Sequence, residues 1–217
     1  MSATLDLFDD PQRLRRDRLA PGAAVLRGFA LDCDQRVLQA VERVIEQAPL
    51  RHMQTPGGFR MSVAMTNCGA LGWVSDTSGY RYSRCDPASG LPWPSMPGVL
   101  RALADAAASQ AGFEHFRPDA CLINWYQPGA RLTLHQDKNE RAFDAPIVSV
   151  SLGLPAVFLF GGLKRSDKLL RVALAHGDVV VWGGPARLRY HGVLALKDGY
   201  LPPLGRVRIN LTFRKAG

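Results

Sequence analysis

Short strand-like segments fill the second half of the chain and constrain its fold more than any other feature. From residue 118 onward, short runs in which apolar and polar residues alternate, or which are wholly apolar, are separated by glycine and proline turns. The runs lie at residues 120–126, 132–138, 147–152, 156–160, 169–174, 179–182, 188–191 and 206–213. About eight short strands with regular turns are typical of a sandwich or barrel. We therefore predict a mainly β (α+β) fold whose jelly-roll, or double-stranded β-helix, core spans residues 118–217.

Helical spacing occurs twice in the first half of the chain. Asp34 is expected to cap a helix with regularly spaced apolar residues on its inward face, namely Val37, Leu38, Val41, Val44, Ile45 and Ala48. Residues 97–111 predict a second helix, which ends at Gly112. A first strand is expected at residues 22–29. The two helices would back the jelly roll in a single domain over residues 21–217.

Residues 1–20 are predicted to form an N-terminal arm. Arginines cluster there without an apolar face, at Arg13, Arg15, Arg16 and Arg18. Two interpretations stay open, a solvated tail and a segment that binds phosphate groups. The net charge of the 217-residue chain is +8. Such a charge favours association with polyanions that weakens as salt rises.

Bulk features disfavour several classes of protein. No apolar run reaches the ~18 residues of a transmembrane helix, so we predict no membrane association. The acidic N-terminus lacks the basic start and apolar core of a secretion signal, and a cytoplasmic location is expected. The four cysteines match no C-x-x-C metal site and are expected to be free thiols. A monomer is expected, because the chain shows no heptads and no exposed apolar stripe.

An H-x-D pair at the end of a predicted strand offers metal ligands. His135 and Asp137 are two residues apart and point to the same face of an extended chain. With a distant histidine, such a pair forms the 2-His-1-carboxylate triad of non-haem Fe(II) enzymes. His191, about fifty residues later, could supply that ligand. A second pair, His176-Gly-Asp178, is interpreted as a turn into a buried strand, because glycine and aspartate favour turns.

The C-terminal strand has two unlike faces. One face is apolar and carries Ile209, Leu211 and Phe213. The other face is polar and carries Arg208, Asn210, Thr212 and Arg214. Taken alone, this pattern indicates an amphipathic strand with its polar face in water. An arginine fork also pairs bidentately with a carboxylate, so the same face could bind an acidic cosubstrate such as 2-oxoglutarate.

Residues 50–91 differ in pattern from the rest of the chain. Strand-like pieces are short there, and turns rich in glycine and proline separate them. Aromatic residues and methionines are frequent, at Met53, Phe59, Met61, Met65, Trp73, Tyr80 and Tyr82. Two interpretations follow, a small satellite core or a lid that stacks on a flat base.

Together these segments resemble the AlkB family of Fe(II)/2-oxoglutarate-dependent nucleic-acid demethylases. The resemblance rests first on His135-Gln-Asp137-Lys138, on His191 and on the polar face of residues 208–214. It extends to residues 55–58, 61–69, 71–73, 118–124, 146–155, 160–165 and 176–184, and thus over nearly the whole chain from about residue 20. It implies one catalytic domain, with residues 50–91 as a nucleotide-recognition lid.

The resemblance also implies roles for individual residues. It assigns Fe(II) to His135, Asp137 and His191. It assigns the 2-oxoglutarate pocket to Leu122, Asn124, Tyr126, Ser149, Arg208, Asn210 and Arg214. Arg208 would pair with the distal carboxylate of 2-oxoglutarate. It assigns substrate contacts, including a base stacked on the Trp73 ring and a phosphate near the Tyr80 side chain, to Thr55, Gly57, Phe59, Trp73, Tyr80, Asn139 and Arg165.

The implied reaction is oxidative demethylation of N-alkylated bases such as 1-methyladenine and 3-methylcytosine. Fe(II) is the cofactor, 2-oxoglutarate and O2 are cosubstrates, and formaldehyde, succinate and CO2 are released. A base must leave its stack to reach the metal, which favours single-stranded over double-stranded DNA. RNA stays open as a substrate, because no motif reveals contacts to a 2′-hydroxyl.

One position departs from the family pattern. The family carries an acidic residue two positions after the metal-binding aspartate, and this chain has Asn139 there. Asparagine can accept a hydrogen bond from the exocyclic amino group of a base, but it carries no charge. We therefore expect weaker discrimination between cationic and neutral alkylated bases.

Three other functions stay open at this point. A hydroxylase of protein side chains or small molecules would have the same triad and Arg208, although residues 50–91 and the basic charge favour nucleic acid. A nucleic-acid-binding module with a vestigial metal site would show no iron-dependent turnover of 2-oxoglutarate. A cupin-type metalloenzyme without a cosubstrate would keep its activity in an Arg208→Ala variant.

Overall fold

Two β-sheets face each other in the computed structural model, which describes residues 15–217. The strands, in chain order, are β1 (Arg16–Ala20), β2 (Ala23–Leu26), β3 (Arg51–Gln54), β4 (Arg60–Gly69), β5 (Gly72–Asp76), β6 (Gly79–Ser83), β7 (Ala120–Tyr126), β8 (Leu132–His135), β9 (Ile147–Gly153), β10 (Ala156–Phe160), β11 (Leu170–Leu174), β12 (Val179–Trp182), β13 (His191–Val193) and β14 (Arg208–Arg214). The helices are α1 (Asp34–Gln47) and α2 (Gly98–Gln110), with short 3-10 helices at Leu31–Cys33 and Gly184–Ala186.

The major sheet contains eight strands in the order β1-β2-β12-β9-β14-β7-β4-β3. The minor sheet contains four strands in the order β11-β10-β13-β8. Strands that are distant in sequence are neighbours in both sheets, and the pairs within them are antiparallel. This arrangement confirms the predicted mainly β fold with a jelly-roll core.

The two helices cover the outer face of the major sheet. Apolar residues of α1 and α2, including Val41 and Leu100, share one buried cluster with Ile209, Leu211 and Phe213 of β14. Burial of this continuous apolar surface is the main force that holds helices and sheet together. Strand alternation then turns the polar side chains of β14 toward the minor sheet.

The polar face of β14 lies in the interior rather than in water. Each of its four side chains, Arg208, Asn210, Thr212 and Arg214, is at most 6% exposed. The interpretation of an ordinary strand with a solvated polar face is therefore wrong. The two sheets close over these side chains because an aromatic and aliphatic cluster seals the space beside them, with Phe158, Phe160, Trp182 and Val193 among its members.

Residues 50–91 contribute to two structures. Strands β3 and β4 extend the major sheet at the edge beyond β7. Strands β5 and β6 form a separate two-stranded hairpin. Val74 of this hairpin forms a small cluster with Ala48 and Trp93, whereas Met53 and Met65 belong to the cluster between the two sheets. The hairpin places Trp73 and Tyr80 beside the opening between the sheets.

Two local predictions are wrong. Helix α1 begins at Asp34, but Cys33 is its N-cap residue and no side chain caps it. The Asp34 carboxylate instead contacts His176 Nε2 at 2.9 Å. The strand predicted at residues 188–191 begins only at His191. The preceding residues form a tight turn, in which the Arg187 and Arg189 amides donate to carbonyls three residues earlier.

The predicted N-terminal arm is only partly described, because residues 1–14, including Arg13, lie outside the described residues. The last residues of the predicted arm are part of the fold instead. Arg16–Ala20 form edge strand β1, and the Arg16 guanidinium donates to the Gln110 and Ala111 carbonyls at the end of α2. Over residues 15–217, neither helix has the length and apolar character that a bilayer crossing requires.

Candidate metal and cosubstrate site

Three metal-ligand side chains meet where two strands of the minor sheet run side by side. His135 ends β8 and lies opposite His191, which begins β13. Asp137 follows β8 by two residues, and the ligand atoms of the three side chains lie within 4.8 Å of one another. Gly192 permits this approach, because a Cβ atom there would lie 2.9 Å from the Leu132 carbonyl oxygen. The structure thus brings together the predicted triad.

Backbone carbonyls fix the tautomer of both histidines. His135 Nδ1 donates to the Thr133 carbonyl at 2.8 Å, and His191 Nδ1 donates to the Arg189 carbonyl at 3.0 Å. A carbonyl can only accept, so each ring carries a proton on Nδ1, and the neutral form of each ring then has its lone pair on Nε2. The Nε2 atoms lie 3.8 and 3.7 Å from the Asp137 carboxylate oxygens. Neutral imidazoles with oriented lone pairs are the form that binds metal.

Asp137 is held in the charged state that a metal ligand requires. Burial alone would raise its pKa, but the Arg214 guanidinium and the two imidazoles outweigh burial and hold the pKa well below its usual value. Arg214 donates through Nε to Asp137 Oδ2 at 2.9 Å, and its Nη2 lies 2.7 Å from the same oxygen. Burial and the neighbouring His135 lower the pKa of His191 to about 4, so this ligand is neutral at physiological pH. The donor set fits Fe(II).

The second H-x-D pair is fully engaged within the protein. His176 Nδ1 accepts from the Gly153 amide, and its Nε2 contacts Asp34 Oδ2, both at 2.9 Å. Asp178 accepts from the Arg27 guanidinium at 2.7 Å and from two backbone amides. Through the contact between His176 and Asp34, this pair holds the turn between β11 and β12 against the start of α1. The segment is a turn that leads into the buried strand β12, as the interpretation of this second pair predicted.

Arg208 is a buried guanidinium that lacks a carboxylate partner within residues 15–217. It is 1% exposed, and its Nε and Nη1 have no hydrogen-bond acceptor in the described chain. Its Nη2 donates to Ser151 Oγ at 3.0 Å, and its guanidinium lies 4.9 Å from the centre of the Tyr126 ring. The Tyr126 hydroxyl likewise lacks a partner in that part of the chain. An unpaired buried charge is costly, so this corner is built for an anion.

A network of amides and hydroxyls lines the wall between Arg208 and the triad. Asn210 donates to Ser149 Oγ at 2.8 Å and to the Val150 carbonyl at 2.9 Å. Thr212 Oγ1 donates to Asn210 Oδ1 at 3.0 Å, and Asn124 donates to the same oxygen at 3.2 Å. Asn124 Oδ1 has no partner in residues 15–217. These bonds hold the side chains in place on strands β7, β9 and β14.

One cavity of about 860 Å³ contains the triad and the Arg208 corner. Every residue that the resemblance assigns to metal or 2-oxoglutarate lines it, including Leu122 and Ser149. A dicarboxylate with a chelating keto-acid end would thus meet the triad at one end and a guanidinium at the other. The residues present fit both Fe(II) and 2-oxoglutarate.

The residues predicted to contact substrate lie around the mouth of the cavity, with one exception. Thr55, Phe59, Trp73, Tyr80, Asn139 and Arg165 all line it. Gly57 does not, and it lies in the exposed turn between β3 and β4, where an added Cβ would meet the Phe59 ring at 3.4 Å. The structure gives Gly57 no contact with the cavity.

The mouth is aromatic and basic. The Trp73 and Tyr80 rings are stacked, with centroids 5.6 Å apart and planes inclined by 16°. Phe59 is 76% exposed, which is unusual for a phenylalanine. Arg165 donates to the Leu134 carbonyl at 2.8 Å and thereby stays next to the metal strand. Arg60, Arg131 and Lys138 also line this opening.

Several residues of the site were not predicted from the sequence. Ser151, which holds Arg208, lies two residues after Ser149 on β9 and could have been found from strand alternation. Tyr82 forms a polar cluster beside Asp137 with the buried side chains of Glu140 and Arg187. No local pattern could have found that cluster, because its members come from a hairpin, a loop and a 3-10 turn.

The chain is similar to known proteins over nearly its whole length. A family model described as the 2OG-Fe(II) oxygenase superfamily matches residues 22–214. Alpha-ketoglutarate-dependent dioxygenase AlkB of Escherichia coli (strain K12) is 55% identical over 213 residues, which are 98% of this chain and 98% of that protein. Nucleic acid dioxygenase ALKBH1 of Homo sapiens is 34% identical over 124 residues, which are 57% of this chain and 31% of that protein. The solved structure of OsALKBH1 superposes with a TM-score of 0.81 at 29% identity, covering 93% of this chain and 100% of that chain.

Proposed function

Since this chain belongs to the AlkB family within the 2OG-Fe(II) oxygenase superfamily, we propose that it removes alkyl groups from damaged nucleic-acid bases. It is an Fe(II)- and 2-oxoglutarate-dependent dioxygenase. The observation that carries the proposal is a single cavity beneath an aromatic, basic mouth. It joins three metal donors to a buried guanidinium that has no carboxylate partner within residues 15–217. The preferred substrates are 1-methyladenine and 3-methylcytosine in single-stranded DNA.

His135, Asp137 and His191 hold Fe(II), and Arg214 keeps Asp137 charged for that role. Arg208 pairs with the distal carboxylate of 2-oxoglutarate. The network of Asn124, Asn210, Ser149 and Thr212 keeps the pocket polar between the two ends. Leu122 and Tyr126 complete the pocket wall. When bound, Fe(II) with 2-oxoglutarate and O2 supplies the oxidation of an N-methyl group, which leaves as formaldehyde while 2-oxoglutarate becomes succinate and CO2.

The mouth recognises the base and its strand. Residues 50–91 act as the lid, in which Trp73 stacks on the extruded base and Tyr80 approaches a phosphate. Thr55 and Phe59 face the substrate, while Gly57 shapes the turn that carries them. Arg165 and the neighbouring basic residues attract phosphates, which position a strand without reading its sequence. The human relative is named a nucleic acid dioxygenase, which supports the proposal that the mouth of the cavity binds nucleic acid.

Single strands are the preferred substrate because an unpaired base costs less to extrude. Methylation at N1 of adenine or N3 of cytosine also blocks base pairing, so such lesions can be taken from double strands and, we propose, from RNA. A monomer suffices, since one chain supplies the triad, the anion site and the mouth. A nucleic-acid substrate and four free cysteines suit a cytoplasmic location.

The test is product analysis on a short single-stranded DNA that carries one 1-methyladenine. The reaction contains Fe(II), ascorbate and 2-oxoglutarate, and His135→Ala serves as the inactive control. We expect the oligonucleotide to lose the mass of one methylene group while formaldehyde and succinate appear in equal amounts. Succinate that appears without loss of the methyl group would identify a different substrate. No succinate at all would contradict the assignment of the metal site.

A further inference from the structure

The hairpin formed by β5 and β6 reaches the metal site through one hydroxyl group. Tyr82 lies on β6, the strand that also carries Tyr80, and its hydroxyl donates to Glu140 Oε1 at 2.6 Å. Within residues 15–217, this hydrogen bond joins the hairpin to the segment that carries the metal ligands. The rest of the hairpin is held by β3, β4 and the loop around Trp93.

Glu140 is a buried carboxylate between two buried arginines. Its side chain is 2% exposed, and its Oε2 accepts from Arg187 Nη2 at 3.1 Å. Its Oε1 lies 3.5 Å from Arg214 Nε. Together with Asp137 the group contains two carboxylates and two guanidinium groups, and their formal charges cancel. Removing one charge from such a group leaves a buried ion unpaired.

Both arginines hold Asp137 in place. Arg187 Nη1 donates to the Asp137 carbonyl oxygen at 2.8 Å, and Arg214 Nε donates to its carboxylate Oδ2 at 2.9 Å. Arg187 is also anchored to the Ala145 carbonyl at 3.1 Å. Glu140 therefore holds the two arginine side chains that orient Asp137, and it also accepts the hydrogen bond from the Tyr82 hydroxyl.

We propose that Glu140 is a positioning residue that couples the β5–β6 hairpin to the metal carboxylate of Asp137. Metal binding then steadies the hairpin, and by linkage a base held under the hairpin steadies the metal site to the same extent. The inference rests on the proposed function, because the hairpin is the part of the lid assigned to the base. The coupling itself is a property of the metal-bound protein without nucleic acid.

The hydrogen bond between Tyr82 and Glu140 is not needed merely to pack the hairpin onto the rest of the protein. Val74 already packs with Ala48 and Trp93 in a small core, and the Trp73 ring stacks on the Tyr80 ring within the hairpin. A carboxylate in the interior costs free energy that apolar contacts avoid. Glu140 lies between the Tyr82 hydroxyl and the two arginines that contact Asp137. Its hydrogen bonds therefore fix the hairpin and Asp137 relative to each other, which apolar packing alone would not do.

The first test uses Tyr82→Phe, which removes the hydroxyl and leaves every charge of the group in place. Mn(II) alone is added to the protein, and amide hydrogen exchange of residues 72–83 is followed at saturating metal. In the unmodified protein we expect Mn(II) to slow exchange of the hairpin about fivefold, the low end of typical coupling between sites. In Tyr82→Phe we expect bound Mn(II) to leave the exchange unchanged.

The matched control is Tyr80→Phe, which removes a hydroxyl from the same strand without touching Glu140. We expect this variant to keep the protection that Mn(II) confers on the hairpin. Equal protection in Tyr82→Phe and in the unmodified protein would overturn the proposal, as would the absence of any protection in the unmodified protein.

The second test uses Glu140→Gln, which keeps the shape of the side chain and removes its charge. The unpaired positive charge beside the metal is expected to weaken Mn(II) binding about tenfold, measured by calorimetry. Bound Mn(II) should then leave exchange of the hairpin unchanged, as in Tyr82→Phe. Unchanged Mn(II) affinity together with normal protection would refute the role of Glu140. Neither test uses a nucleic acid, so a failure of demethylation would count against the proposed function alone.

Discussion

The two H-x-D pairs of the chain have the same residues and opposite surroundings. At His176 and Asp178, every ring nitrogen and carboxylate oxygen has a partner within the protein. In the first pair, His135 Nε2 lies 3.8 Å from the Asp137 carboxylate, and His191 Nε2 lies 3.7 Å from it. The cavity beside them also contains Arg208, which has no carboxylate partner in the part of the chain that the structure describes. The comparison shows that the same H-x-D motif can have two roles. It stabilises the fold where the rest of the protein satisfies its hydrogen bonds, and it can bind a ligand where its donor atoms face a cavity.

Alanine at the first histidine of each pair should separate the two roles, and we expect this to be the largest effect. His135→Ala should reduce turnover of 2-oxoglutarate at least about a thousandfold, because a metal ligand is lost. His176→Ala should leave the metal site intact and lower the free energy of unfolding by about 1 to 3 kcal/mol, because a buried amide loses its acceptor. Succinate formation and urea unfolding measure the two outcomes. A thousandfold loss of turnover in His176→Ala would reverse the assignment.

Two arginines extend the comparison. Arg208→Ala should raise the KM for 2-oxoglutarate about a hundredfold, since a buried charge pair with the ligand is lost. The same change should alter the free energy of unfolding of the ligand-free protein by no more than about 1 kcal/mol, because an unpaired charge is removed along with its packing. Arg27→Ala is the matched variant. It should cost about 2 kcal/mol of stability, because Asp17 and Asp178 each lose a guanidinium partner, and it should leave the KM unchanged.

Sequence alone predicted the strands better than the partners of their side chains. Alternation on β14 separated Ile209, Leu211 and Phe213 from the polar residues, and the structure confirms that separation. Alternation could not reveal that the polar face is buried, because that depends on the minor sheet closing over it. The family resemblance supplied this information for the triad and Arg208. It supplied nothing for Glu140, whose contacts to Tyr82 and Arg187 span 58 and 47 residues of sequence.

A substitution of Asn139 tests whether the mouth of the cavity beside His135 and Asp137 discriminates between charged and neutral bases. It is exposed, lines the cavity and carries no charge. Asn139→Asp should raise the ratio of kcat/KM on 1-methyladenine to that on neutral 1-methylguanine about tenfold, because a charge-assisted hydrogen bond to a cationic base is stronger than a neutral one. Competition between the two lesions in one single-stranded oligonucleotide measures the ratio directly. An unchanged ratio would show that this position does not discriminate charge.

The smallest expected effect concerns the surroundings of the second pair, where Asp17 contacts Arg27 at 2.8 Å. The hydrogen bond from Arg27 lowers the pKa of Asp17 against the opposing effect of burial. The folded protein therefore binds a proton at Asp17 less readily than the unfolded chain does. The stabilisation from this carboxylate is present above its unfolded pKa of about 3.9 and is lost as the pH falls through its lower folded value.

Asp17→Asn removes this pH dependence and leaves the rest of the network in place. The unmodified protein should be more stable than Asp17→Asn by about 1 kcal/mol or less near neutral pH, since the carboxylate is 27% exposed and partly screened. The difference should shrink toward zero as the pH falls through the lowered pKa that Asp17 has in the folded protein. Urea unfolding of both proteins across this range measures it. A difference that stays constant with pH would mean that Arg27 stabilises the fold through Asp178 and the Ala173 carbonyl alone, and that Asp17 lies outside the structural pair's network.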